Sequence, residues 1–87
     1  ANLKASEYQF ILYPNPSSGL FQLDVGKSLQ LVYRVYSPLG HLVLEGHSEE
    51  GNMLQFDLRG QVPGIYYLST LVQGQVVFST TLMVTEL

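Results

Sequence analysis

The chain of 87 residues has no cysteine, so neither a disulfide nor a thiolate metal centre can support its fold. Charge is scarce as well: Asp, Glu, Lys and Arg make up 13% of the residues, against about 25% in ordinary soluble domains. The four basic residues, Lys4, Lys27, Arg34 and Arg59, are scattered. A cationic face for nucleic acid or for an anionic membrane surface is therefore excluded. No apolar run approaches the ~20 residues of a membrane-spanning helix. Residues 1–7 (ANLKASE) lack the apolar stretch of a signal peptide and read as a linker from a preceding parent domain, which leaves residues 8–87 as one domain. Helical periodicity is missing too, since apolar residues never recur at a spacing of 3.6 over three turns.

What the chain does have is apolar bulk, 46% of its residues, laid out at a spacing of two. The alternation predicts seven strands: residues 8–13, 20–25, 29–37, 41–46, 53–58, 65–73 and 75–85. Phe21, Leu23 and Val25 share one face, as do Leu29, Leu31, Tyr33 and Val35, and Leu54, Phe56 and Leu58. Pro14 and Pro16 remove two ladder donors and end the first strand. Pro38, Leu39 and Gly40 suit a tight turn closing a hairpin, and Gly74 suits another. The fold class that follows is all-β, an immunoglobulin-like antiparallel β-sandwich of about seven strands. An apolar composition with so few charges also points to one face made to meet a partner.

Catalytic groups are thin on the ground. His41 follows a turn glycine and His47 lies in a polar loop beside Glu49 and Glu50, whose spacing fits neither a zinc helix nor a calcium loop. Asp24 and Asp57 fall on different strands with nothing to make them converge as a glycosidase pair. There is no phosphate-binding glycine loop, and the proline at position 16 disqualifies Asn15-Pro16-Ser17 as a glycosylation sequon. The expectation is a non-enzyme with no catalytic residue, no cofactor and no metal.

Three segments carry a family resemblance. Leu12-Tyr13-Pro14-Asn15-Pro16-Ser17-Ser18-Gly19, then Val35-Tyr36-Ser37-Pro38-Leu39-Gly40-His41-Leu42-Val43, then Phe56-Asp57-Leu58 through Pro63-Gly64-Ile65-Tyr66-Tyr67, occur in order. Together they resemble the motif blocks of type IX secretion C-terminal sorting domains, type A, over residues 11–84. The resemblance implies a signal that takes its parent protein through the outer membrane of a Gram-negative bacterium to the cell surface. The partners it implies are proteins of the outer-membrane secretion and attachment machinery, with anionic lipopolysaccharide as a further one. The family's last strand usually carries lysine, whereas residues 80–85 here have none and Glu86 follows. That departure favours a retained domain of a surface attachment component over a cleaved signal.

Tyr13, Pro14, Asn15, Pro16, Gly19, Gly40, Asp57, Pro63, Gly64 and Tyr66 are expected to act mainly as architecture. Recognition is expected on the last strand, through Val77, Thr81, Leu82, Met83 and Val84, with Val77, Thr81 and Met83 facing outward and the strand edge open to a partner or to dimerisation. On this reading, removal of residues 82–87 blocks export and spares most of the fold. The rival reading is a carbohydrate- or lipopolysaccharide-binding module in which Tyr8, Tyr36, Tyr66 or Tyr67 stacks on sugar rings.

Overall fold

The structure, a computed structural model, describes residues 10–26, 30–48 and 53–86. The expected linker, together with Tyr8, Leu29, Glu49 and Glu50, lies outside the described residues. Seven strands follow one another: β1 (Ile11–Tyr13), β2 (Leu20–Asp24), β3 (Leu31–Tyr36), β4 (Leu42–Ser48), β5 (Met53–Asp57), β6 (Gly64–Val72) and β7 (Gln75–Val84). They form two antiparallel sheets, β1-β2-β5 and β4-β3-β6-β7, with no helix among the described residues. This is the all-β sandwich that the alternation predicts.

Alternation also selects the interior. Phe21 and Leu23 of β2 and Leu54 and Phe56 of β5 turn inward from the smaller sheet, and Leu31, Val35, Tyr66, Leu68, Leu82 and Val84 meet them from the larger one. Tyr33 crosses the gap edge-on to Phe56, with ring centroids 4.8 Å apart. Its cross-strand neighbour is Gly46, and any Cβ there would run into the Tyr33 ring and hydroxyl. That glycine is what lets the ring lie flat across β4.

β4 runs two residues past its expected end and takes His47 with it. The residue expected in a solvated loop is a strand residue paired with Val32, because the β3–β4 ladder continues as far as Leu31 and Ser48. A register shift between Thr70 and Leu71 leaves Val77 as the extra residue of β7, lying between the pairs Thr70–Phe78 and Leu71–Val76. The bulge turns Val77 inward, to 4% exposure, which corrects its expected outward orientation. Beside it the buried Thr70 hydroxyl donates to the Phe78 carbonyl at 3.2 Å, so no polar group is stranded there.

Turn chemistry follows the backbone demands. Gln73 and Gly74 both have positive φ, 52° and 78°, the pattern of the two-residue turn whose twist matches a hairpin. Gly19 has φ 146°, and a Cβ there would lie 2.9 Å from the Arg59 backbone, while its carbonyl accepts from Leu58 N–H at 2.7 Å. Both conformation and closeness demand glycine. Gly19→Val is expected to lower stability by roughly 3 kcal/mol or more, the sum of backbone strain and a backbone clash, seen as a large fall in melting temperature.

Asp57 accepts from Arg59 Nη2 at 2.8 Å, from Arg59 Nε at 3.0 Å and from Arg59 N–H at 3.0 Å. These bonds to Arg59, its side chain first and its backbone second, hold the carboxyl down to about 2 from an ordinary 3.8. Because the folded value is the lower one, the stabilisation is complete above the unfolded value of 3.8 and is lost as pH falls through about 2. Thermal melts of the wild type and Asp57→Asn are therefore expected to differ near neutral pH and to converge as pH approaches about 2. The pair is solvent-exposed, so the difference will be small.

Candidate recognition surface

The three motif segments, distant in sequence, fold to one pole of the sandwich around the C-terminal end of β7. The crossing from β5 to β6 begins at Asp57 and Arg59, whose Cα and Cγ crowd Gly19 in the β1–β2 crossing. It ends where the Tyr66 hydroxyl donates to the Val62 carbonyl at 2.6 Å. A buried tyrosine bonded to the backbone four residues upstream is the corner found in immunoglobulin-type sandwiches. Between β3 and β4, the Ser37 hydroxyl accepts from the backbone N–H groups of Leu39 and His41, and Gly40 takes positive φ. The Pro38 ring of that turn lies against Gly64, which pairs in turn with Val84.

The β1–β2 crossing lies along the outer edge of β7. The bonds before Pro14 and Pro16 are both cis. Asn15 Nδ2 donates to the Thr81 carbonyl at 3.0 Å, and Asn15 Oδ1 accepts from Met83 N–H at 2.9 Å. Ser17 N–H donates to the Met83 carbonyl at 3.0 Å, and the Ser17 carbonyl accepts from Thr85 N–H at 2.8 Å. The stretch of edge from Thr81 to Thr85, expected to be open, is thus occupied by the chain itself. A side-chain amide offers the same donor and acceptor pair as a peptide, which is why one asparagine can stand in for a residue of strand. The Ser17 hydroxyl donates to the Leu20 carbonyl at 2.6 Å and accepts from Gly19 N–H at 3.1 Å, folding the segment into this shape.

Of the five expected recognition residues, only Thr81 and Met83 are exposed. Leu82 at 0% and Val84 at 3% exposure are core residues because inward and outward positions alternate along this end of β7, and Val77 joins them through the bulge. Loss of residues 82–87 would therefore open the interior, and the expectation that most of the fold survives this truncation is corrected. Tyr66 likewise cannot stack on a sugar, since its ring is buried at the corner. Tyr13 lies on the outer face of the smaller sheet with its hydroxyl 3.6 Å from the Met53 sulfur.

Register groups Thr81 and Met83 with Tyr36 and Tyr67, expected above only as sugar-stacking candidates, and with Leu42 and Ile65, which had no expected site role. Leu42, Tyr36, Tyr67 and Thr81 form one cross-strand row on the outer face of the larger sheet, and Ile65 and Met83 form the next. Leu42, Tyr67, Ile65 and Met83 are all exposed. The neighbouring row carries the Arg34–Glu45 ion pair, at 2.7 Å, whose hydrogen bond and charge raise the Arg34 pKa further. The result is an uncharged apolar patch at the motif pole, bounded by polar residues. Leu42 and Ile65 were legible only as strand residues, since their exposure depends on which side of the strand the sandwich buries.

Asp24 and Asp57 face the same side of β2 and β5 but at opposite ends, opposite Met53 and Leu20 respectively. A shallow cleft of about 620 Å³ between β3, β4 and the β6–β7 turn has His47 as the one titratable group among the described residues of its lining. Among the described residues no cluster of three or more His, Asp or Glu could hold a metal ion.

Comparison with known proteins agrees with this geometry. The family model described as the secretion system C-terminal sorting domain matches residues 11–85. No curated protein sequence matches the chain. The family is non-catalytic in general; its members are sorting signals of type IX secretion that interact with the secretion machinery and mark a protein for export across the bacterial outer membrane and association with the surface. With three motif loops converging on one pole and 75 consecutive residues under the family model, the chain belongs to the type IX secretion C-terminal sorting domains.

Proposed function

We propose that the secretion machinery reads this domain at the motif pole, through the outer-face patch of Tyr67, Ile65, Met83 and Thr81 flanked by Tyr36 and Leu42. The observation that carries the reading is the coincidence of an exposed, uncharged apolar patch with the pole where all three family motifs meet. Desolvating such side chains against a partner is favourable at roughly 25 cal/mol per Å² of apolar surface, and no buried charge has to be offset. The motif residues Gly19, Gly40, Asp57, Pro63, Gly64 and Tyr66 act as the frame that holds the patch in register. Pro14, Asn15 and Pro16 act at the edge of the same strand.

The domain is further proposed to stay attached, as part of a component of the surface attachment machinery in a Gram-negative envelope. The absence of lysine from residues 80–85 and the lack of any basic side chain in the two patch rows support this variant over one handed to a cationic-signal reader. The glycan reading keeps one specific support, the cross-strand neighbours Tyr36 and Tyr67 on the open face.

A reporter fused ahead of the domain tests the reading. Tyr67→Ser combined with Met83→Ser is expected to cut surface display at least about tenfold while each change leaves stability within roughly 0.5 kcal/mol, as for exposed positions generally. Unchanged display of this folded variant would overturn the proposal. The mass of the displayed protein then decides retention, since a cleaved form lacks the domain. Titration with lipopolysaccharide oligosaccharide, following the Tyr36 and Tyr67 ring resonances, is expected to leave them unmoved; saturable shifts would favour the glycan reading instead.

A further inference from the structure

We infer that the Pro14–Ser17 segment is a detachable cover on a latent interface, that Asn15 is its latch, and that the surface beneath fits a second copy of this chain. β7 is the longest strand of the fold, and residues 75–85 contain no charged residue, no proline and no glycine. An edge of that composition lacks the lysines and prolines with which proteins usually blunt exposed strands, and it meets the description of a segment prone to pair with its own kind. Protection comes instead from another part of the chain. Asn15 supplies two of the four hydrogen bonds that satisfy the edge between Thr81 and Thr85, and Ser17 supplies the other two.

The four groups under the cover are the Thr81 carbonyl, Met83 N–H, the Met83 carbonyl and Thr85 N–H. They form a self-complementary set. An antiparallel pairing of two β7 edges about a two-fold axis at Met83 joins Met83 N–H to the Met83 carbonyl in both directions. It also joins Thr85 N–H to the Thr81 carbonyl in both directions. The side chains then opposed are Met83 with Met83 and Thr81 with Thr85, and none brings like charges together. In the closed chain the same groups are satisfied without the entropic cost of association, so the intact latch keeps the domain a monomer. The inference concerns a backbone edge and holds whether or not the outer-face patch is what the secretion machinery reads.

The 87-residue chain itself provides the test. In the wild type, the amides of Met83 and Thr85 are expected to exchange with solvent at least about tenfold faster than that of Leu68 in central β6, because opening the cover does not require global unfolding. Asn15→Ala, and the near-isosteric Asn15→Asp which loses the donor to the Thr81 carbonyl, are expected to keep a protected core. Their mass in sedimentation equilibrium is expected to rise with concentration toward twice that of one chain, with Met83 protection recovering as it does so. Adding Met83→Lys to Asn15→Ala places two ammonium groups opposite each other at the proposed axis and is expected to restore the monomer. The inference is overturned if Asn15→Ala or Asn15→Asp keeps a protected core and the mass of a single chain. It is equally overturned if the Met83 and Thr85 amides of the wild type exchange no faster than Leu68, a measurement that stands even should both variants unfold.

Discussion

β7 must be satisfied on two sides and packed on a third. Its inner side chains Leu82 and Val84 close the core, its inner backbone groups pair with β6, and its outer backbone groups between Thr81 and Thr85 take hydrogen bonds from Asn15 and Ser17. With one core, no disulfide and few charges, the domain has little else to hold its end together. The crossing that delivers Asn15 must pass Gly19, which is squeezed against Arg59, and the crossing that carries Arg59 must end at the Tyr66 corner. One strand thereby fixes the positions of two loops that are nearly 40 residues apart in sequence.

The same arrangement divides the labour between faces. Inside the sandwich, aromatic and aliphatic side chains from both sheets exclude water, and Thr70, the one buried polar side chain among the described residues, is hydrogen-bonded across the bulge. Outside, the larger sheet alternates by rows, with an apolar row at the motif pole beside a row held by Arg34 and Glu45. A sorting domain must remain folded while it is handled, and a recognition surface built from side chains that the core does not use meets that requirement. The corner, the serine-stabilised turn and the asparagine clip place those side chains without lying in the patch themselves.

How much could be read in advance follows from the range of each interaction. The strands and their inward faces were legible because a period of two is written in Phe21-Leu23-Val25 and in Leu54-Phe56-Leu58. The turn at Gln73-Gly74 was legible because a hairpin reversal needs positive φ, to which glycine is suited. Val77 and His47 depart from expectation for one cause: bulges and ladder extension are set by the partner strand, which the local sequence does not contain. The order of motifs along the chain identified the family, since turn residues at fixed spacing survive in one dimension.

The sequence by itself therefore determined the fold class, the seven segments, most of the core and the kinship with sorting domains, all of which rest on local periodicity and turn chemistry. Only the tertiary structure decided that Leu82 and Val84 are buried while Met83 is not, that Tyr66 is a corner and Tyr67 a surface residue, and that Asn15 closes the edge of a strand 66 residues away. The physical reason is that burial and hydrogen-bond satisfaction are properties of pairs. A residue's partner across the sandwich is chosen by how two sheets pack, and nothing in its own neighbourhood along the chain records that choice.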